Sequence, residues 1–250
     1  MNTRLPLFVA ASALVAGVWC LGLASAAPTP PNLPKDSYKK ATATDIAYLQ
    51  QKLDDIVAEP AKNRGAIRTV KGVSLLVSVY ADASKDDALK AQALKVYAAT
   101  DKKDFKGAAE LAKGLTAPKA DPAAKAPATV SLEDIMSPFR VAKAGGLNIE
   151  SDIKGAGKEG KIDAAAAELI GVRSAVIAEF AAGLPNDKAS VNNSTKMKWD
   201  RYSKDMAATS KELTEEAAKG KSADEKKMLA TLKRLDATCI NCHNDFRNEP

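Results

Sequence analysis

Residues 222–246 read SADEKKMLATLKRLDATCINCHNDF. Met228, Leu232, Leu235, Cys239 and Cys242 follow one another at steps of four, three, four and three. A helix turns once in about 3.6 residues, so these side chains form one stripe along a single face. Ser222 with Glu225 three residues later is a capping-box pair, so the helix is expected to start there. The two cysteines therefore continue the buried face of an amphipathic helix. A chain whose other segments repeat this pattern is all-α.

The composition agrees. Aromatic residues are 5% of 250, and the sequence is crowded with Ala and Lys. A β-sandwich or barrel would want Val, Ile, Thr and aromatics. With 27% charged and 46% hydrophobic residues, neither a disordered polyanion nor a polytopic membrane protein fits. The net charge of +6 is spread along the helical segments, which describes a solvated surface better than a nucleic-acid groove.

Other helices follow from spacing. Ile46, Leu49, Leu53 and Ile56 mark one, and Val70, Val73, Val77 and Tyr80 a second. The core of the second, Val73 to Val79, also alternates as a strand would. A third is expected after Ser84, with Asp87 completing its cap, running past a break at Gly107 to Gly114. Leu169, Val172, Val176 and Phe180 form another, ended by Gly183 and Pro185. Trp199, Tyr202, Met206 and Leu213 form one more, ended at Gly220.

Composition shifts divide the chain. Residues 1–26 place Arg4 before an apolar run and the small-residue site Ala24-Ser25-Ala26, the layout of a secretory signal peptide. The alternative is an uncleaved anchor. Residues 27–35 are a Pro-rich leader, and residues 117–130, with Pro118, Pro122 and Pro127, read as a linker. Two helical halves result, 36–116 and 131–250. They are candidate diverged copies, because Gly72-Val73 lines up with Gly171-Val172 and Ala112-Lys113-Gly114 with Ala218-Lys219-Gly220. Export implies a periplasmic location.

The chemistry sits in Cys239-Ile240-Asn241-Cys242-His243. This C-x-x-C-H spacing is the attachment pattern of c-type haem. Two thiols three apart on a helix face one side, where each can bond covalently to a haem vinyl group, and the next residue presents an imidazole to the iron as proximal ligand. His243 is the one histidine of the chain, which excludes bis-histidine ligation and His-rich zinc centres within it. Three other readings compete: a zinc site using Cys239, Cys242 and His243, a dithiol redox site, and a structural disulfide. The half 36–116 has neither cysteine nor histidine, so one covalent haem c is expected.

Residues 131–250 resemble the cytochrome c prime family, the class II c-type cytochromes. The resemblance rests on an alanine-rich helix ending in Leu184-Pro185, on Met197-Lys198-Trp199 opening the next, and on the C-terminal Cys239 to Arg247. It implies a four-helix bundle carrying haem near the end of its last helix. It assigns haem contacts to Trp199, Phe246 and Arg247, and it implies a homodimer. The family draws the distal face from the first bundle helix, which is expected around 131–150. Leu132, Ile135, Met136 and Phe139 make its apolar face, and Met136 is the candidate sixth ligand through its thioether. Pro138 departs from the family pattern: it breaks such a helix or begins one with Ser137 as cap. Arg140 is a candidate for a haem propionate.

The expectation is an exported monohaem cytochrome that transfers one electron to and from a redox partner protein. The alternative is a five-coordinate iron that takes nitric oxide or carbon monoxide. A third possibility makes 36–116 a docking module. With its only histidine on iron, the chain shows no nucleophile–base pair, so no enzymatic activity is expected.

Overall fold

The computed structural model describes residues 28–117 and 130–247. The expected signal segment 1–26 and the interior of the expected linker lie outside the described residues. Every regular element among the described residues is helical: α1 (Lys35–Ala58), α2 (Ala66–Ala83), α3 (Asp87–Asp101), α4 (Phe105–Lys113), α5 (Leu132–Met136), α6 (Ile149–Glu159), α7 (Ala164–Gly183), α8 (Asn193–Ala217) and α9 (Glu225–Phe246). Among them, none is long and apolar enough to cross a membrane.

Helices α1 to α4 pack in a closed ring, with α4 returning onto α1. In the second half α7 packs on α8, α8 on α9, and α9 on α6. The chain therefore contains two consecutive four-helix arrangements, the second of which carries the C-x-x-C-H motif. One apolar core runs through both, from Leu33 and Tyr38 to Leu232 and Leu235.

The ends of the helices are set by side-chain caps. Asp86 accepts from the Leu89 N–H at 2.9 Å and opens α3, so the cap is Asp86 rather than Ser84, which ends α2. The break before α4 falls at 102–104, ahead of Gly107. Lys103 adopts a left-handed φ of 61°, and Asp104 then caps α4 through the Gly107 N–H. Asp224, two residues after Ser222, caps α9. Asn192 and Thr195 form a reciprocal capping box at the start of α8, and Asp163 caps α7. Each satisfies amide groups that a first turn leaves without partners.

The strand-like alternation of Val73 to Val79 belongs to a helix that is buried on all sides. Thirteen residues of α2, among them Gly72 to Ala81 without interruption, are buried. Such a helix shows no one-sided stripe, because every face meets protein.

The helix expected around 131–150 is not there. Leu132–Met136 is a single helical turn, and Pro138 sits in the 3₁₀ turn Ser137–Phe139 that follows. Gly145 (φ 80°) and Asn148 (φ 67°) bend the chain again before α6. Proline removes an amide donor and the left-handed positions end any helix, so the segment is a series of turns. The helix that packs on α9 besides α8 is α6. Segment 130–148 lies instead on α2, where a Cβ on Gly72 would stand 2.2 Å from the Asp134 carbonyl oxygen. The Tyr48 hydroxyl donates to the Gly145 carbonyl at 2.6 Å.

Candidate haem site

The motif occupies the last turns of α9, beyond the core stripe of Met228, Leu232 and Leu235. Cys239, Cys242 and Phe246 prolong that stripe. Successive helical residues are about 100° apart, so His243 projects to one flank of it. The two thiols are not bonded to each other, and both are half-buried. Burial, with Asp236 adding to it, pushes the Cys239 thiol up to about 12; burial, then Asp245, pushes Cys242 up to about 11. Both are protonated at neutral pH. Reactive dithiol sites depend on lowered thiol pKa values, so this pair is not poised for disulfide exchange.

His243 is exposed, and its ring makes no hydrogen bond among the described residues. Partial burial and the Arg247 guanidinium lower its pKa, against a smaller opposite effect of Glu150. The imidazole is thus neutral near pH 7, the form that donates a lone pair to a metal. Lys154 also reaches it electrostatically. Glu150 and Lys154, on α6, bind each other at 2.5 Å. Across the stripe lies a small apolar cluster of Ala181, Ala189, Trp199 and Phe246, against which Leu132, Met136, Tyr202 and Cys242 pack. Trp199 and Phe246 meet edge to face with centroids 5.2 Å apart, and the Trp199 indole N–H donates to the Ala181 carbonyl at 2.8 Å. Asn186 donates to the Phe246 carbonyl at 2.8 Å and Lys188 to the Arg247 carbonyl at 3.1 Å, so the α7–α8 loop holds the end of α9. Tyr202 donates to Asp245 at 2.9 Å.

These residues suit a covalently held haem. Two protonated thiols on one face, a neutral exposed imidazole one residue on, and an aromatic wall beside them supply what thioether attachment and axial ligation require. The zinc alternative lacks support, because among the described residues no group of three or more His, Cys, Asp and Glu is gathered to hold a metal ion.

The structure brings Trp199, Phe246, Cys242 and Met136 into one cluster. Arg247 follows α9, its N–H donating to the His243 carbonyl at 2.9 Å. Arg140 is exposed in the turns after α5, where its carbonyl accepts from the Asn148 N–H at 2.9 Å. Sequence reasoning missed Glu150 and Lys154, because it sought the neighbouring helix too early in the chain. Gly145-Gly146 and Asn148, strong helix breakers just ahead of Ile149, were the available signal.

An all-α bundle that ends in this motif defines a c-type haem protein. Residues 139–247 match the family model of cytochrome C′, which covers α6 to α9 and the whole motif. No curated protein and no solved structure matches the chain.

Proposed function

We propose that the protein is an exported, periplasmic monohaem cytochrome that passes single electrons to a redox partner protein. Cys239 and Cys242 hold the haem as thioethers, and His243 is its proximal ligand. The bound haem supplies a reversible ferric–ferrous couple. What the chain's own residues do is fix that group. The capping of α9 by Asp224 and its C-terminal anchorage by Asn186 and Lys188 hold the motif in place. Trp199 and Phe246 exclude water from one side. The observation that carries the reading is the exposure of the motif: His243 is exposed and Ile240 is 45% exposed, so a group bound there lies near the surface, where a partner can exchange electrons with it.

The experiment is an absorption spectrum of the purified protein in both oxidation states, before and after acidic organic extraction. Haem bands that stay with the polypeptide are expected. A protein without haem, or one that surrenders it to the solvent, would sink the proposal.

A second reading, binding of nitric oxide or carbon monoxide, is favoured by one observation. Helix α6, whose Glu150 and Lys154 act on His243, contains no Met, Cys or His to serve as sixth ligand. Met136 packs instead in the cluster on the Cys242 side. We assign Met136 to the wall of the site. Met136→Ala should leave the spin state and the carbon monoxide on-rate unchanged. A switch from low to high spin in that variant would make it the sixth ligand.

A further inference from the structure

The nine residues Ile170 to Ala178 of α7 are all buried. A helix in an isolated four-helix bundle keeps one face in water, so a helix buried all round is covered by something outside its bundle. On one side α8 approaches closely: a Cβ on Gly171 would stand 2.4 Å from Thr214 Oγ1. On the other side lie α1, α2 and α5. Arg173 of α7 donates through Nε to Asp45 of α1 at 3.0 Å, and through its NH2 group to the same oxygen. Asp45 is fully buried, and the Tyr80 hydroxyl of α2 donates to its second oxygen at 3.1 Å. Glu168 of α7, also buried, accepts from Ser37 at 2.5 Å and Lys40 at 2.7 Å, both on α1. Each helix thus offers the other a buried carboxylate, and the two pairs fix one parallel register. A separate set of contacts does the same elsewhere. Lys71 of α2 reaches Asp134 of α5 at 2.6 Å, and Arg68 reaches Glu133 at 2.7 Å.

We propose that residues 35–116 are the obligate internal partner of the haem-bearing half. They cover the back of α7 as a second subunit would, and the Asp45–Arg173 pair locks the docking register. Interfaces between domains that come and go are polar and water-accessible. This one is part of the continuous core and contains a buried, hydrogen-bonded ion pair, which tolerates no loose docking. The covered face of α7 is closed to a second copy of the chain.

The test uses the full chain with a protease site, flanked by Gly-Ser spacers, inserted between Ala123 and Ala124. After cleavage the two fragments should elute together from a gel-filtration column at the volume of the uncut protein, in equal amounts by denaturing gel. Elution of either fragment alone would overturn the proposal. The readout does not depend on haem, so failure of the haem reading is recorded separately. In the same cleavable chain, Arg173→Ala leaves the Asp45 carboxylate buried and unpaired. It should raise the dissociation constant between fragments on the order of a hundred-fold. The double variant Asp45→Leu/Arg173→Met, which removes both charges, should keep the fragments together. Fragments of Arg173→Ala that bind as tightly as those of the parent would overturn the assignment of the lock to this pair.

Discussion

The two four-helix arrangements differ most in their last helix. α4 has 9 residues, and its buried positions are Ala108, Ala109 and Ala112. α9 has 22 residues; it fills its core with Met228, Leu232 and Leu235 and then runs on through Cys239, Cys242, His243 and Phe246. At 1.5 Å per residue the difference is about 20 Å of helix. The first half stops where its packing is complete, whereas the second continues past that point, and its extra turns carry all the thiols and the imidazole of the described residues. The C-x-x-C-H motif is thus an extension of the helical scaffold, and the half without the extension packs against the half that has it.

The comparison is broken most completely at the motif. Cys239→Ala/Cys242→Ala should abolish covalent haem, so that acidic organic solvent extracts all of any haem still present, while helical content stays near that of the parent protein without haem. Retention of covalent haem in this variant would remove the motif from the account. Next in size are the paired glycines, Gly72 of α2 and Gly171 of α7. A methyl group on Gly72 meets a backbone carbonyl at 2.2 Å, which only a shift of segment 130–148 relieves. Gly72→Ala should lose about 2 kcal/mol by denaturant titration, overpacking outweighing the gain in helix propensity. Gly171→Ala meets Thr214 Oγ1 first and should lose less, about 1 kcal/mol. Neutral or stabilising effects would show that neither close approach matters.

Trp199→Phe comes third. It keeps an aromatic ring against Phe246 but leaves the Ala181 carbonyl without its indole donor, at a cost of about 1 kcal/mol. The smallest effect is confined to acid. Glu216 accepts from the Asp224 N–H at 3.0 Å and from Lys219 and Lys227 at 2.8 Å each, which lowers its pKa from about 4.5 to about 2. A carboxylate with a lowered folded-state pKa contributes stability above its unfolded pKa, and that contribution is lost as the pH falls toward the folded one. Glu216→Gln should therefore flatten the acid limb of the stability curve between about pH 4.5 and 2, read as thermal midpoint against pH. An unchanged limb would assign the acid sensitivity to other groups.

Much of the fold was legible in the spacing of apolar residues. The stripes of α1, α7, α8 and α9 announced themselves through Leu49 and Leu53, Val172 and Val176, Trp199 and Met206, and Leu232 and Leu235, because each repeats at helical spacing. The motif was legible outright, since its spacing is fixed by covalent chemistry. α2 was ambiguous because its buried, valine-rich run Val73 to Val79 also alternates as a strand would. The single helix expected around 131–150 is instead a series of short turns up to Asn148, after which α6 begins. Its apolar residues Leu132, Ile135 and Met136 have helical spacing, but Pro138 and Gly145 allow only short turns. The link between the halves was not legible at all. Asp45 and Arg173 are 128 positions apart, and nothing local marks either as half of a buried pair.

That separation bears on the order in which the protein acquires its parts. Contacts within α1–α2 and α2–α3 close short loops and form early, whereas contacts over such a distance must wait on a large loss of chain entropy. Thiolates are the species that oxidise, and the raised pKa values of Cys239 and Cys242 keep that form scarce once α9 has packed. The burial that places both sulfurs on the core-facing stripe thus also makes the pair slow to oxidise in the folded chain.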